Sequence, residues 1–149
     1  MRQSTTLAAL GTALTLLLVP AGVAQAQDQT LYQRLGGYNA IAAVTDDFIG
    51  KLASDPMFSK FFVGHSTDSK SRIRQHVVDQ LCMATGGPCV YTGRDMKTAH
   101  AGLGITGADW DHAVELLVGT LDKFRVPTRE KNELLTAVSG LKKDIVERM

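Results

Sequence analysis

The chain of 149 residues has only two cysteines, Cys82 and Cys89, and no Cys-x-x-Cys-His. That absence excludes a covalently attached c-type haem. Charge of either sign is not in excess: sixteen basic residues face fifteen acidic ones. A chain so balanced lacks the basic footprint of a nucleic-acid binder and gives no reason to expect a membrane-surface protein. The first long apolar run, Leu7 to Val19, spans 13 residues, short of the ~20 that a membrane-spanning helix needs. Repeats, low-complexity tracts and long linkers are missing. Val90-Tyr91-Thr92 is too short to count as a strand. Finally, no His-x-x-x-His and no cysteine cluster offers the converging ligands of a zinc site.

What is present begins with a leader pattern. Arg2 is followed by the apolar run and then by Ala24-Gln25-Ala26, small residues at the spacing a signal peptidase reads. Residues 1–26 are therefore expected to be a signal peptide, with a retained N-terminal anchor as the other reading. Residues 27–149 form one domain. Export exposes the cysteines to oxidising conditions, so a disulfide is allowed. Gly86-Gly87-Pro88 between them supplies the turn it needs. Two separate small core residues are the alternative.

Beyond residue 30 the apolar spacing is helical almost everywhere, and the fold class is all-α. A brief helix, Leu31 to Leu35, stops at Gly36-Gly37. The next, Asn39 to Ser54, buries Ile41, Val44, Phe48 and Leu52 and ends at Pro56. Phe58, Phe61 and Phe62 crowd the following corner, which an ordinary core or a flat apolar cofactor would both explain. A helix from Ser69 to Thr85 has Ile73, Val77, Leu81 and Ala84 as its inner face. His76 lies about 60° from Ile73 and Gln80 about 20°. A short helix, Asp95 to Ala101, carries Met96, Ala99 and His100. Thr106 caps the next in a capping box with Asp109, and its stripe is Trp110, Val114, Leu117, Leu121 and Phe124. Pro127-Thr128 opens the last, with Leu134, Val138, Leu141 and Ile145 inward.

Of four histidines, His65 falls in a loop and His112 is expected to face water, about 200° around its helix from Trp110. His76 and His100 differ. Each sits on or beside an apolar face, on separate helices with the phenylalanine corner near by. A neutral imidazole is a good iron ligand. From spacing alone, satisfied core histidines remain as good an account.

The ordered series Leu31-Tyr32 to Leu35-Gly36-Gly37, Asp46-Asp47-Phe48, Asp55-Pro56, Phe61-Phe62, Gly86-Gly87-Pro88, Tyr91, Gly93 and Arg94 to Thr106 resembles the group I truncated haemoglobins. It covers nearly all of residues 27–149. The resemblance implies a two-over-two helical sandwich around a non-covalent haem b, with His100 as proximal iron ligand. It sets Phe62 against the porphyrin, makes Phe48 a pocket residue, and places Tyr91 and Met96 along the proximal haem edge. His76, ten residues before Gly86, matches the distal histidine that takes the sixth iron position in cyanobacterial-type members. Leu81 matches a position in an apolar ligand tunnel. The chain also departs from the family. Ile49 stands where a tyrosine hydroxyl usually donates to the gas ligand. Ile73 and Val77 hold distal positions where glutamine is common, and Gln80 replaces a frequent phenylalanine.

The expected function is reversible binding of oxygen, nitric oxide or carbon monoxide, with His76 gating entry. A haem enzyme (nitric-oxide dioxygenase or peroxidase) and a bis-histidine electron carrier are the alternatives. The expected partners are the gases and a reductase, with no nucleic acid. The expected state is a monomer in a bacterial periplasm.

Overall fold

The computed structural model describes residues 29–148; the leader pattern at 1–26 lies outside them. Seven helices follow in order: α1 (Leu31–Arg34), α2 (Gly37–Ser54), α3 (Thr67–Ala84), α4 (Met96–His100), α5 (Gly107–Lys123), α6 (Thr128–Ser139) and α7 (Lys142–Ile145). A single 3₁₀ turn, Ser59–Phe61, lies between α2 and α3. Among the described residues the sole β pairing is an isolated bridge between Thr106 and Arg148.

Two helix pairs make the body. α2 packs on α3, α5 packs on α6, and α2 also crosses α5. The first contact buries Ile41, Ala42, Val78 and Cys82. The second buries Val44, Leu117, Leu121 and Leu134. A small apolar cavity of about 20 Å³ lies where they meet, lined by Ile41, Val44, Leu81, Leu121 and Leu134 among others. Leu81, the expected tunnel residue, thus borders internal free space.

Three expectations are corrected. Of the inner face expected for α3, Leu81 does pack on the core, but the fully buried positions are Val78 and Cys82 rather than Ile73, Val77 and Ala84. Adjacent helical positions differ by about 100°, so the face given to α2 is one step round. Ile73, Val77 and Leu81 stay half-buried and Ala84 is exposed. Phe124 is 41 % exposed, because α5 ends at Lys123 and Arg125 turns the chain away with a left-handed φ of 54°. The last helix is two: it stops at Ser139-Gly140, and α7 turns to pack on α4.

The caps conform to their sequence signals. Thr106 and Asp109 form the expected reciprocal box. Thr30 and Gln33 form another at α1, which ties Thr30 to the helix. Arg34 pairs with Glu130 at 3.0 Å and with Glu133, joining α1 to α6.

Cys82 and Cys89 form a disulfide. It closes a separation of seven residues over Gly87, where an added Cβ would lie 2.5 Å from the Tyr32 ring and 2.6 Å from Cys82 Sγ. Only glycine lets the loop cross so closely. A cross-link of this span removes chain entropy from the unfolded state worth about 2–3 kcal/mol. The double substitution Cys82→Ala/Cys89→Ala is expected to lose that much in denaturant unfolding. Reduction by a dithiol should have the same effect on the unsubstituted protein and none on the variant.

Candidate functional site

The short helix α4 is shaped from its ends. Asp95 caps it, accepting from the Thr98 amide at 2.9 Å and the Thr98 hydroxyl at 2.7 Å. These bonds hold the Asp95 carboxyl below the usual carboxylate range. At the other end His100 is half-buried, and its Nδ1 lies 2.8 Å from the Met96 carbonyl. A carbonyl only accepts, so Nδ1 carries the proton and donates. That selects the tautomer with a free lone pair on Nε2, the state a metal-ligating imidazole needs. Met96 thus supplies the backbone acceptor that fixes the ring.

Tyr91 joins the two histidine-bearing helices. Its hydroxyl donates to the Arg94 carbonyl at 2.5 Å, just ahead of α4. Its ring meets the His76 ring edge-on at 5.8 Å between centroids. Burial pushes the Tyr91 phenol up from its ordinary value. Gly93 permits this crossing, since a Cβ there would lie 2.4 Å from the tyrosine oxygen.

On α3, Ile73, His76, Val77 and Gln80 are all half-buried. They form a second stripe, distinct from the Val78 and Cys82 face that α2 covers. His76 Nδ1 is buried without a hydrogen-bond partner. Buried polar atoms in proteins are nearly always paired, so an orphan here marks a place that something else completes. Thr45 Oγ1 is the other such atom among the described residues. Sequence reasoning missed it. Its signal was a polar residue at i+4 from Ile41 and i−4 from Ile49, inside the apolar stripe of α2.

Phe48 packs at the margin of the second core cluster. Ile49 and Phe62 are half-buried. The other corner phenylalanines serve the corner itself. Phe58 is 6 % exposed and Phe61 packs beside it at 6.5 Å. The corner thus absorbs two of its three rings and leaves Phe62 without an aromatic partner among the described residues.

His65 is exposed in its loop, as expected. His112 is not the water-facing residue that helical geometry predicts. Its ring stacks on Phe58 at 5.6 Å, and its Nε2 lies 2.8 Å from Asp55 Oδ2. The Asp55 corner folds back over α5 and covers a position the helix alone would expose. The Asp55 bond, with a second from Glu115, raises the His112 pKa. The His112 bond, with the Met57 amide, lowers that of Asp55. A raised histidine pKa contributes stability in full below the unfolded value of about 6.5 and loses it as pH rises through the folded value. A lowered aspartate pKa contributes above about 3.9 and loses it as pH falls. The stability advantage of the wild type over His112→Gln is thus expected to be largest near pH 5–6 and to shrink toward pH 9. Urea midpoints of both proteins at the two pH values check it.

The fold and its histidines define the class: a helical globin of the two-over-two type, with one pair α2–α3 and the other α5–α6. The family model for bacterial-like globins matches residues 30–147. Group 1 truncated haemoglobin GlbN of Mycolicibacterium paratuberculosis is 31 % identical over 121 residues, covering 81 % of this chain and 87 % of its own. The group 1 truncated haemoglobin of Tetrahymena pyriformis is 33 % identical over 118 residues, covering 79 % and 95 %. The solved structure of the Tetrahymena pyriformis protein in its Fe(III) form superposes with a TM-score of 0.72 at 32 % identity, over 79 % of this chain and 98 % of that one. The 2/2 haemoglobin of a Synechococcus species, solved in the cyanomet state with covalently attached haem, gives 0.72 at 30 % identity over 80 % and 100 %. The chain belongs to the bacterial-like globins, as a group I truncated haemoglobin.

Proposed function

We propose that this protein binds haem b non-covalently and reversibly binds diatomic gases, with His100 as the proximal and His76 as the distal histidine. The observation that carries the reading is the His100–Met96 bond, which leaves Nε2 as a free ligand atom. The unpartnered Nδ1 of His76 supports it, as do the apolar Ile73, Val77, Ile49 and Phe62, which stay only half-buried. A flat apolar group between α3 and α4 gives each of these a surface to meet. No Cys-x-x-Cys-His is present to attach it.

Haem would supply an iron able to bind a diatomic gas. His100 would hold that iron through Nε2, oriented by Met96 and by the Asp95 cap. Phe48, Phe62, Tyr91 and Met96 form the walls. Ile49, Ile73 and Val77 keep water out and offer no hydrogen bond. Among these distal positions His76 alone presents a polar side chain, so it either closes the sixth position or donates to the gas. It cannot do both at once. If His76 closes that position at rest, it would have to move aside before oxygen, nitric oxide or carbon monoxide could bind. The secretory pattern in the sequence supports export to a bacterial periplasm; the reading there is of a monomer kept ferrous by a reductase.

The test is the absorption spectrum of the ferric, ferrous and carbon-monoxide forms. A low-spin resting spectrum that carbon monoxide converts supports the reading. A five-coordinate, high-spin ferrous spectrum overturns the resting role of His76. Refusal of carbon monoxide favours the electron carrier. Protein that takes up no haem overturns the reading entirely.

A further inference from the structure

The loop that leaves His100 contains two glycines in the left-handed region, Gly102 at φ 80° and Gly104 at φ 66°. Their amides converge on one carboxylate from the end of the chain. Gly104 N donates to Glu147 Oε2 at 2.8 Å, and Gly102 N donates to Glu147 Oε1 in a shorter contact. Backbone amides gathered in this way form an anion-binding concavity, here filled by a side chain of the same protein. The main chain adds to it. Ile105 O accepts from Glu147 N at 2.9 Å and from Arg148 N at 3.2 Å, and Gly107 N donates to Arg148 O at 3.1 Å. Residues 147 and 148 therefore run as a strap along residues 102–107.

The strap acts on a helix that cannot place itself. α4 has five residues, far fewer than an isolated helix needs. Its N-terminal end is set by Asp95. At its C-terminal end Leu103 N donates to the His100 carbonyl at 3.2 Å, so the loop that Glu147 grips is bonded directly to the histidine's own backbone. α7 packs on α4 from the same side.

We infer that Glu147 is a positioning residue for His100: its carboxylate clamps the Gly102–Gly104 loop and so sets the angle at which the imidazole meets the iron. This rests on the proximal role proposed above for His100. Charge-assisted bonds to amides are the stronger kind, so both the charge and the two-oxygen geometry matter. Glu147→Gln keeps the shape, but sets an amide nitrogen against one of the two N–H donors. Glu147→Ala removes the clamp.

The experiment is resonance Raman spectroscopy of the ferrous protein after photolysis of its carbon-monoxide complex, where the iron–histidine stretch is read directly. It is paired with haem release to an acceptor globin and with hydrogen exchange of amides 97–104 in the apoprotein. Glu147→Ala is expected to shift or broaden the stretch, to speed haem release about ten-fold, and to speed exchange at those amides. Glu147→Gln should fall between it and the wild type. An unchanged stretch in both variants overturns the inference, even where the apoprotein melts earlier, because a purely structural strap would lower stability alone. A wild-type stretch that survives His100→Gly instead overturns the proximal assignment itself. Those two failures are therefore distinguishable.

Discussion

His100→Gly is expected to abolish stable haem retention, with exogenous imidazole restoring it. His100 is the proposed proximal ligand and the one histidine on α4, and an imidazole bond to iron is a main anchor of a non-covalent haem. Removing it leaves the distal His76 and apolar contact with the macrocycle from Phe48, Phe62, Ile73 and Val77. The glycine variant should copurify with substoichiometric haem and release what remains at least ten-fold faster than the wild type. Added imidazole should recover a six-coordinate spectrum by entering the vacated space. Full haem content without imidazole, with an unaltered ferrous spectrum, would mean that another residue ligates the iron.

His76→Leu is expected to have opposite effects on function and stability. In the wild type the imidazole is the sole polar side chain among the assigned distal positions, since Ile49, Ile73 and Val77 are apolar. Its loss should convert the resting low-spin spectrum to five-coordinate and speed carbon-monoxide binding. It should also weaken oxygen retention by roughly 10- to 150-fold, the equivalent of one hydrogen bond to a charged acceptor of about 1.5–3 kcal/mol. The apoprotein should gain about 1 kcal/mol, because the substitution removes a buried ring nitrogen that has no partner. Oxygen dissociation kinetics and apoprotein unfolding check the two arms. Equal oxygen dissociation rates in variant and wild type would remove His76 as a donor.

The α3 helix shows which parts of the site sequence could reach. Its apolar residues at 73, 77 and 81 are legible as a stripe, and 73 and 77 lie beside His76, half-buried. What periodicity could not supply was the partner of each face. A helix with Ile73 and Val77 on one side and Val78 and Cys82 on the next has two apolar faces, and only the packing of α2 assigns one of them, with Leu81 at its edge, to the core. The other remains half-buried, as a wall for a bound group should. His112 failed for a related reason. Its helical angle was right, but the Asp55 corner arrives from a distant part of the chain, and no local pattern announces a hydrogen bond across 57 residues. Glu147 was invisible on the same grounds, because its role depends on a C-terminal strap reaching a loop 43 to 45 residues earlier.

The sequence by itself determined the all-α class, most helix boundaries to within a few residues, the capping box at Thr106 and the family to which the chain belongs. These rest on local rules of helical period, cap chemistry and glycine placement, or on an ordered motif series, and all can be read without coordinates. Tertiary structure alone decided between a disulfide and two free thiols, which face of α3 enters the core, and what surrounds each histidine. It also supplied the acceptor that selects the His100 tautomer and the clamp on the loop behind it. The physical reason is that a bond between distant residues depends on where two backbones come to lie. That placement follows from the packing of the whole core rather than from any segment of it.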